Sequence, residues 1–186
     1  MNKNVFVLAG ALLLCASCGS GQKPAPRADV WENNSIQNRE TVKSIELKGN
    51  TVRVPFKRTA SDLAEVQISL NGVPFNMWWD TGASITCISS LELVKLQKEG
   101  KITDDDFVGT IQSSIADGST VESAVFSIKE VVLKGQDDGH YLRLNDVLVA
   151  VSKNIEAPLL LGQNVIQNLP KHSFDESQEV IEFEKQ

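Results

Sequence analysis

Alternation of apolar and polar residues defines one hairpin near the middle of the chain. Residues 64–70 alternate with the period of two that is typical of a half-buried β-strand. Asn71-Gly72 follows at once, and both residues tolerate the positive φ angles of a two-residue hairpin turn. The alternation continues in residues 73–79, so the pattern predicts a β-hairpin with one buried face. That face consists of Val66, Ile68, Leu70, Val73, Phe75, Met77 and Trp79.

Short apolar segments separated by turns predict further strands along the chain. They are residues 45–47, 52–54, 107–115, 120–133, 142–151 and 159–161, with a closing hairpin over 172–183. Gly49-Asn50 predicts that the first two of these segments form a hairpin, and Pro55 is expected to end it. We expect residues 148–151 and 159–161 to be buried, because both runs are almost wholly apolar.

Helical signals are few. Ser89 and Glu92 have the spacing of a capping box, which predicts a helix to about Lys98, ended by Gly100. Residues 164–169 predict a second helical turn, stopped by the following proline. The elements together predict an all-β domain over residues 44–186, with one or two short helices.

The N-terminus has the pattern of a targeting segment. One lysine precedes an apolar run from Val5 to Leu14, which is too short for a membrane-spanning helix of about 20 residues. Ala16-Ser17-Cys18 then resembles the lipobox of bacterial lipoproteins, with Cys18 as the lipidated residue, although Cys15 stands where leucine is usual. The alternative is plain secretion with cleavage near Ser17. We interpret residues 1–17 as a signal peptide and residues 18–43 as a flexible tether anchored by lipid in the bacterial cell envelope, in the periplasm or at the outer membrane.

Charge and composition exclude several classes of function. The 186 residues contain 18 Lys and Arg against 24 Asp and Glu, a net charge of −6, which disfavours binding to nucleic acid through phosphates. Three cysteines, two of them in the first 18 residues, do not suffice for a disulfide framework. No phosphate-binding loop, zinc-ligand spacing or nucleophile elbow occurs, so neither a metal nor a cofactor is expected.

The predicted hairpin runs directly into Asp80-Thr81-Gly82-Ala83-Ser84. This segment, behind an apolar strand, resembles the active-site loop of retropepsin-like aspartic proteases. Order and spacing agree over residues 62–183, since residues 111–126 could form the family's flap hairpin and Leu160-Leu161-Gly162 stands before a helix as in the family. Retroviral members often carry an ion pair where Ser84 and Gln163 stand. Here both residues are neutral, and they could hydrogen-bond instead.

The resemblance implies a closed barrel of short strands and a set of site residues. Asp80, Thr81 and Gly82 would be catalytic, with the Gly82 N–H directed to the carboxylate and Thr81 bonded to the partner loop. Ala83, Ser84, Ala116, Asp117 and Gly118 would contact a peptide substrate. Metal-free hydrolysis requires one carboxylate to activate water and a second, protonated carboxyl to polarise the carbonyl. The chain has one Asp-Thr-Gly, so a working site requires a two-fold homodimer.

Other candidate residues have structural interpretations. Cys87 is expected to be a small buried hydrophobe, because a nucleophilic role would require a histidine beside it. Asp104-Asp105-Asp106 lacks the glycine and glutamate of a calcium loop and predicts a solvated turn. Trp78 and Trp79 alternate, so at most one belongs to the core. We therefore expect an aspartic endopeptidase acting on peptides; the alternative is a non-catalytic envelope lipoprotein that binds peptides with the same fold.

Overall fold

The structure is a computed structural model that describes residues 41–114, Gly118 and residues 120–185. It confirms the all-β class. Eleven strands form one sheet: β1 Ser44–Lys48, β2 Thr51–Arg58, β3 Ala64–Leu70, β4 Val73–Trp79, β5 Cys87–Ser89, β6 Phe107–Ser114, β7 Thr120–Lys134, β8 Tyr141–Ser152, β9 Leu160–Leu161, β10 His172–Asp175 and β11 Val180–Glu184. In the described residues, two short α-helices accompany them, α1 Ser90–Lys98 and α2 Gln163–Ile166, together with one turn of 3-10 helix over Asp104–Asp106.

Six of the strands close into a ring. The predicted hairpin is confirmed, since β3 and β4 are antiparallel with Ile68 opposite Phe75. β4 continues through a parallel pairing with β9, β9 pairs with β5, and β5 runs parallel to β8. β7 joins β8 on one side and β3 on the other, with Leu70 opposite Val131. The ring encloses the main core, and every residue of the predicted hairpin face is buried.

The predicted hairpin of the first two segments is wrong. Both strands form, but β1 pairs with β8, with Ile45 opposite Leu144, and β2 pairs with β3 and β11. The chain bends at the turn signal Gly49-Asn50, but the strands on either side of it do not pair with each other. Longer apolar strands elsewhere in the sequence provide better partners for both.

Pro55 does not end β2, contrary to the prediction. Pro55 lies opposite Val180 of β11. The residues next to it bond to β11 instead: the Phe56 N–H donates to Glu179 O at 2.9 Å, and such bonds recur at every second residue of the strand. The missing N–H of Pro55 therefore points away from β11, and no hydrogen bond of that ladder is lost. Beyond Pro55 the strand changes its partner from β11 to β3.

Burial follows the predicted pattern with one exception. Residues 148–151 of β8 are buried as expected. Of the 159–161 run only Leu161 is buried, whereas Leu159 and Leu160 are half-buried. β9 has only two residues, and its side chains point alternately inward and outward, so a run of leucines overstates the burial.

The helix α1 has the predicted capping box and ends where expected. The Ser89 hydroxyl accepts from the Leu91 N–H at 3.1 Å, and Glu92 accepts from the Ser89 N–H at 3.0 Å.

In the part of the chain that the structure describes, no helix has both the length and the apolar character to cross a membrane. The predicted signal peptide, Cys18 and tether residues 18–40 lie outside the described residues, while Thr41 and Lys43 bond to the backbone of β8.

Candidate active site

Asp80 is the first residue after β4, at the end of that strand in the ring. Trp79, the last residue of β4, is buried, and it is the tryptophan of the pair that belongs to the core. The N–H of Asp80 donates to Leu161 O of β9 at 3.0 Å, which continues the parallel ladder by one residue beyond β4. The backbone of Asp80 is therefore fixed by two strands, while its side chain is half-exposed at their ends.

The loop after Asp80 turns back on its carboxylate. The Gly82 N–H donates to Oδ1 of Asp80 at 2.8 Å, as the resemblance implied, and the Ala83 N–H lies 3.3 Å from the Asp80 carbonyl oxygen. A Cβ atom on residue 82 would lie 3.1 Å from Oδ1, so glycine permits this close approach. Thr81 and Gly82 are exposed. The carboxylate is thus oriented by its own loop and remains open to an incoming group.

Backbone bonds join the loop to α2. Gln163 N–H donates to Ala83 O at 2.8 Å, and Asn164 N–H donates to Ser84 O at 3.2 Å. The positions of Ser84 and Gln163, where the resemblance suggested a side-chain contact, are therefore brought together through main-chain groups. Ser84 itself is exposed beside the loop, so its hydroxyl is available to a ligand.

A buried polar cluster behind the loop was not predicted from the sequence. Oδ1 of Asn164 accepts from the Thr86 N–H at 2.7 Å and from the Thr86 hydroxyl at 2.9 Å. The Asn164 amide donates to Leu148 O at 2.8 Å, and the Gly162 N–H donates to Thr86 Oγ1 at 3.1 Å. Thr86 and Asn164 are buried, so each bond satisfies a group that water does not reach. The sequence signal that could have indicated this cluster is Asn164, a polar residue in the predicted helical turn after Leu160-Leu161-Gly162.

Gly162 allows α2 to pack directly on the segment that follows Asp80. A Cβ atom at this position would lie 2.4 Å from the Ile85 carbonyl carbon and 2.7 Å from the Thr86 nitrogen. Both are backbone atoms, which cannot move aside as a flexible side chain can. The glycine of Leu-Leu-Gly is therefore required by close approach rather than by its φ angle.

The predicted flap is a long hairpin of β6 and β7. The pairing extends to Ser114 opposite Thr120, and Gly118 in the turn is exposed. The other two predicted substrate-contacting residues of the turn, Ala116 and Asp117, lie outside the described residues. The base of the hairpin packs next to the active-site loop through a small apolar cluster. Its buried members are Ile85, Ile111, Val125, Leu148 and Ala150.

Cys87 packs against this cluster and is half-buried. Burial raises the pKa of its thiol, and a contact with the Ser152 backbone offsets part of that rise. A protonated, partly buried thiol is a poor nucleophile, which agrees with the structural role expected for Cys87.

The expected solvated turn at Asp104-Asp105-Asp106 is wrong for its last residue. Asp106 is only 9% exposed, and Oδ2 accepts from the Thr103 N–H at 2.8 Å and from the Thr103 hydroxyl at 3.1 Å. Lys129 of β7 lies 3.3 Å from Oδ1. Burial by itself would raise the pKa of Asp106, but these hydrogen bonds and the lysine outweigh it and lower the pKa. Asp106 therefore fixes the start of β6.

Comparison with known proteins indicates the family of the chain. A family model described as "gag-polyprotein putative aspartyl protease" matches residues 66–168, which include Asp80, the flap hairpin and α2. The chain is also similar to a crystal structure of a retropepsin-like aspartic protease from Rickettsia conorii. That match has a TM-score of 0.49 and 14% identity, and it covers 75% of this chain and 94% of that chain. A comparison with curated protein sequences gave no significant match.

Proposed function

We propose that this chain, which belongs to the gag-polyprotein aspartyl protease family, is an aspartic endopeptidase that acts as a homodimer. The observation that carries the proposal is the Asp80 loop. Its carboxylate is oriented by the Gly82 N–H at 2.8 Å and is half-exposed at the ends of β4 and β9. The rest of the loop is anchored to α2 by main-chain bonds, so the carboxylate is held in position before a substrate arrives.

The dimer follows from the number of carboxyl groups that the reaction needs. Asp-Thr-Gly occurs once in the sequence, and one carboxyl cannot serve as base and acid in the same step. Two Asp80 side chains on a two-fold axis would share one proton, because two carboxylates a few ångströms apart do not both ionise. The exposure of Thr81 and Gly82 is consistent with a partner loop that covers them.

The proposed reaction divides the work between the two carboxyls. The ionised Asp80 takes a proton from water as the water oxygen attacks the peptide carbonyl carbon. The protonated Asp80 donates to the carbonyl oxygen and stabilises the tetrahedral intermediate. The C–N bond then breaks as the Asp80 that took the water proton gives it to the leaving nitrogen. One hydroxyl of the intermediate returns its proton to the other Asp80, which regenerates the starting pair. No metal ion or covalent intermediate enters this scheme.

The flap and the loop edge would hold the substrate. The β6–β7 hairpin would cover an extended peptide through strand-like hydrogen bonds from residues 116–118. Ala83 and Ser84 would contact the same peptide on the side opposite the hairpin. The anchoring of the flap base beside Ile85 supports this arrangement, because it places the hairpin and the active-site loop on one packed cluster.

The proposal also includes the location of the enzyme. Cleavage before Cys18 and acylation of that residue would attach the domain to an envelope membrane through the tether of residues 18–43. The enzyme would then act on peptides or proteins in the bacterial cell envelope.

Endopeptidase assays of the full chain and of Asp80→Asn test the proposal. The asparagine keeps the shape of the side chain and can still accept from Gly82, but it cannot act as a base. We expect the variant to fold and to dimerise while hydrolysis of a peptide library is lost. Asp138→Asn changes an exposed acid in a turn and is the matched control, which should retain activity. Equal cleavage by Asp80→Asn and the parent would contradict the proposal and favour the peptide-binding alternative.

A further inference from the structure

A cavity lies between the strand β1 and the segment that follows α2. Its volume of about 310 Å³ is at the small end of the range for ligand sites, so it suits one large side chain. The cavity is lined by residues from β1, from the segment after α2 and from the end of the chain. They are Ile45, Leu47, Asn168, Leu169, Pro170 and Lys185.

The walls of the cavity are mainly apolar. Ile45 and Leu47 are on the face of β1 that packs against the main core, yet both remain half-buried. Leu169 belongs to that core, and Pro170 is half-buried. The described residues therefore cover this apolar face of β1 only in part, and a further apolar side chain in the cavity would remove more of it from water.

Asn168 and Lys185 give the cavity a polar rim, since both residues are exposed. The Asn168 amide nitrogen donates to Asn164 O at 2.8 Å, and its amide oxygen can accept from another donor. Apolar walls with one acceptor beside them suit an indole, which has a large apolar ring and a single N–H donor. The lysine favours an acidic residue next to that indole.

The chain enters the domain beside this cavity. The Thr41 hydroxyl donates to Asn164 O at 3.3 Å, and the same oxygen accepts from Asn168. Thr41 O also accepts from the Leu148 N–H at 3.0 Å, which fixes this residue to β8. The tether therefore joins the domain at a residue that shares a hydrogen-bond acceptor with one lining the cavity.

The tether contains an indole with acidic neighbours. Trp31 is the one aromatic residue of the sequence from 18 to 40, and Asp29 and Glu32 stand close to it. Ten residues separate Trp31 from Thr41 along the chain. Ten residues can span up to about 33 Å, so this length of chain suffices to turn back to β1.

We propose that Trp31 docks in this cavity of its own chain. Its ring would pack against the apolar walls, its N–H would donate to the Asn168 amide oxygen, and an adjacent acid would lie near Lys185. Because the tether is covalently attached, its effective concentration is high, and a contact too weak to form between separate chains can be populated within one. The contact requires neither peptide hydrolysis nor acylation.

Docking would change the role of the tether. The free spacer after Cys18 would consist of residues 18–30 instead of residues 18–40. The docked part would also cover the segment directly after α2, the helix whose backbone bonds to Ala83 and Ser84 of the active-site loop. The domain would therefore be held from its α2 side.

Acrylamide quenching of Trp31 fluorescence tests the contact. The Trp31 signal is the difference between the parent and Trp31→Phe, since Trp78 and Trp79 are present in both. The measurements use the full chain with Cys18→Ala, which prevents acylation. We expect Trp31 to be quenched several-fold less than in a synthetic peptide of residues 19–40. Equal quenching in the chain and in the peptide overturns the proposal.

A matched pair of substitutions tests which surface holds the indole. Asn168→Phe fills the cavity from its exposed rim and should remove the protection of Trp31 from acrylamide. Gln167→Phe, an exposed neighbour that does not line the cavity, should leave that protection unchanged. Equal protection of Trp31 in the two variants overturns the assigned cavity.

Urea unfolding gives an independent measure. Trp31→Ala should raise the unfolding equilibrium constant about tenfold, because truncating a packed aromatic side chain is costly. Ile36→Ala in the same tether is the control and should change this constant little. In Asn168→Phe the effect of Trp31→Ala should disappear. Equal effects of Trp31→Ala and Ile36→Ala contradict docking, and a tenfold effect that persists in Asn168→Phe overturns the assigned cavity.

Dilution distinguishes a contact within one chain from a contact between chains. The protection of Trp31 from acrylamide should stay constant as the protein is diluted, because the effective concentration of an attached segment does not depend on the protein concentration. Protection that is lost on dilution would place the indole on a second copy and overturn the proposed contact.

Discussion

Oδ1 of Asn164 accepts two hydrogen bonds from Thr86, one from its N–H at 2.7 Å and one from its hydroxyl at 2.9 Å. Thr86 lies six positions after Asp80, and Asn164 is the second residue of α2. The pair thus connects the segment after the active-site loop to a helix that is distant in sequence. Because both residues are buried, water cannot replace either bond.

Asn164→Ala should lower the free energy of unfolding by at least about 2 kcal/mol. It leaves the Thr86 N–H and the Leu148 carbonyl buried without partners, and each unsatisfied group costs about 1–3 kcal/mol. Asn168→Ala, which removes a less buried bond to Asn164 O, is the control and should cost less. Urea denaturation measures both, and equal effects would show that the Thr86 cluster has no special role.

The core of the hairpin predicts a second stability effect. Ile68 is fully buried on the inner face of β3, while its neighbour Gln67 is exposed. Ile68→Ala should cost about 2–5 kcal/mol through lost transfer free energy and a residual cavity. Gln67→Ala should change the free energy of unfolding little. A cost near zero for Ile68→Ala in thermal or urea unfolding would contradict the assigned face.

Asp106 predicts a dependence of stability on pH. Burial by itself raises the pKa of Asp106, but the hydrogen bonds from Thr103 and the charge of Lys129 lower it by a larger amount. The folded-state pKa therefore lies below the value of about 3.9 in unfolded chains. The ionised carboxylate therefore stabilises the fold above the unfolded-state pKa, and this stabilisation is lost as pH falls through the folded-state pKa.

Asp106→Asn should accordingly lose stability at pH 7 and show a weaker decline than the parent as the pH falls below about 4. Asp105→Asn, an exposed neighbour, serves as the control and should follow the parent curve. Denaturant titrations at several pH values measure the difference. Parallel curves for Asp106→Asn and the parent would contradict the assigned role of this carboxylate.

The anchoring proposal predicts a specific modification. Mass spectrometry of the native protein should find an acylated Cys18 and no residues 1–17. Cys18→Ala should move the domain into the soluble envelope fraction, since multiple acyl chains are needed for stable membrane attachment. Cys15→Ala should leave the protein in the membrane fraction. An unmodified Cys18 in the mature protein would contradict this proposal.

Local patterns predicted much of the fold. The alternation in residues 64–79 determined the β3–β4 hairpin and its buried face, because the period of a strand and the Asn71-Gly72 turn are both local signals. The capping box of α1 was predicted for the same reason. The pairing of β1 with β8 was missed, since the choice of a partner strand depends on residues nearly 100 positions away.

The candidate site was predicted through its one local segment. Asp80-Thr81-Gly82 is contiguous, so the bond from Gly82 to the Asp80 carboxylate could be expected. The Thr86–Asn164 pair joins residues 78 positions apart, and no periodicity indicates that these two side chains meet. Asp106 was missed because a run of three acids suggests solvent, whereas its burial depends on the packing of β6 and β7.

The most direct test of the proposed enzyme is a mixing experiment with Asp80→Asn subunits. Increasing amounts of this variant are added to a fixed amount of parent chain, and peptide hydrolysis is measured after the subunits exchange. If one Asp80 from each subunit forms the site, mixed dimers are inactive, and activity should fall as parent chains are drawn into them. Added Asp138→Asn should not cause this fall. Activity that stays constant as Asp80→Asn is added, in a preparation shown to exchange subunits, would contradict a catalytic pair of Asp80 carboxyls.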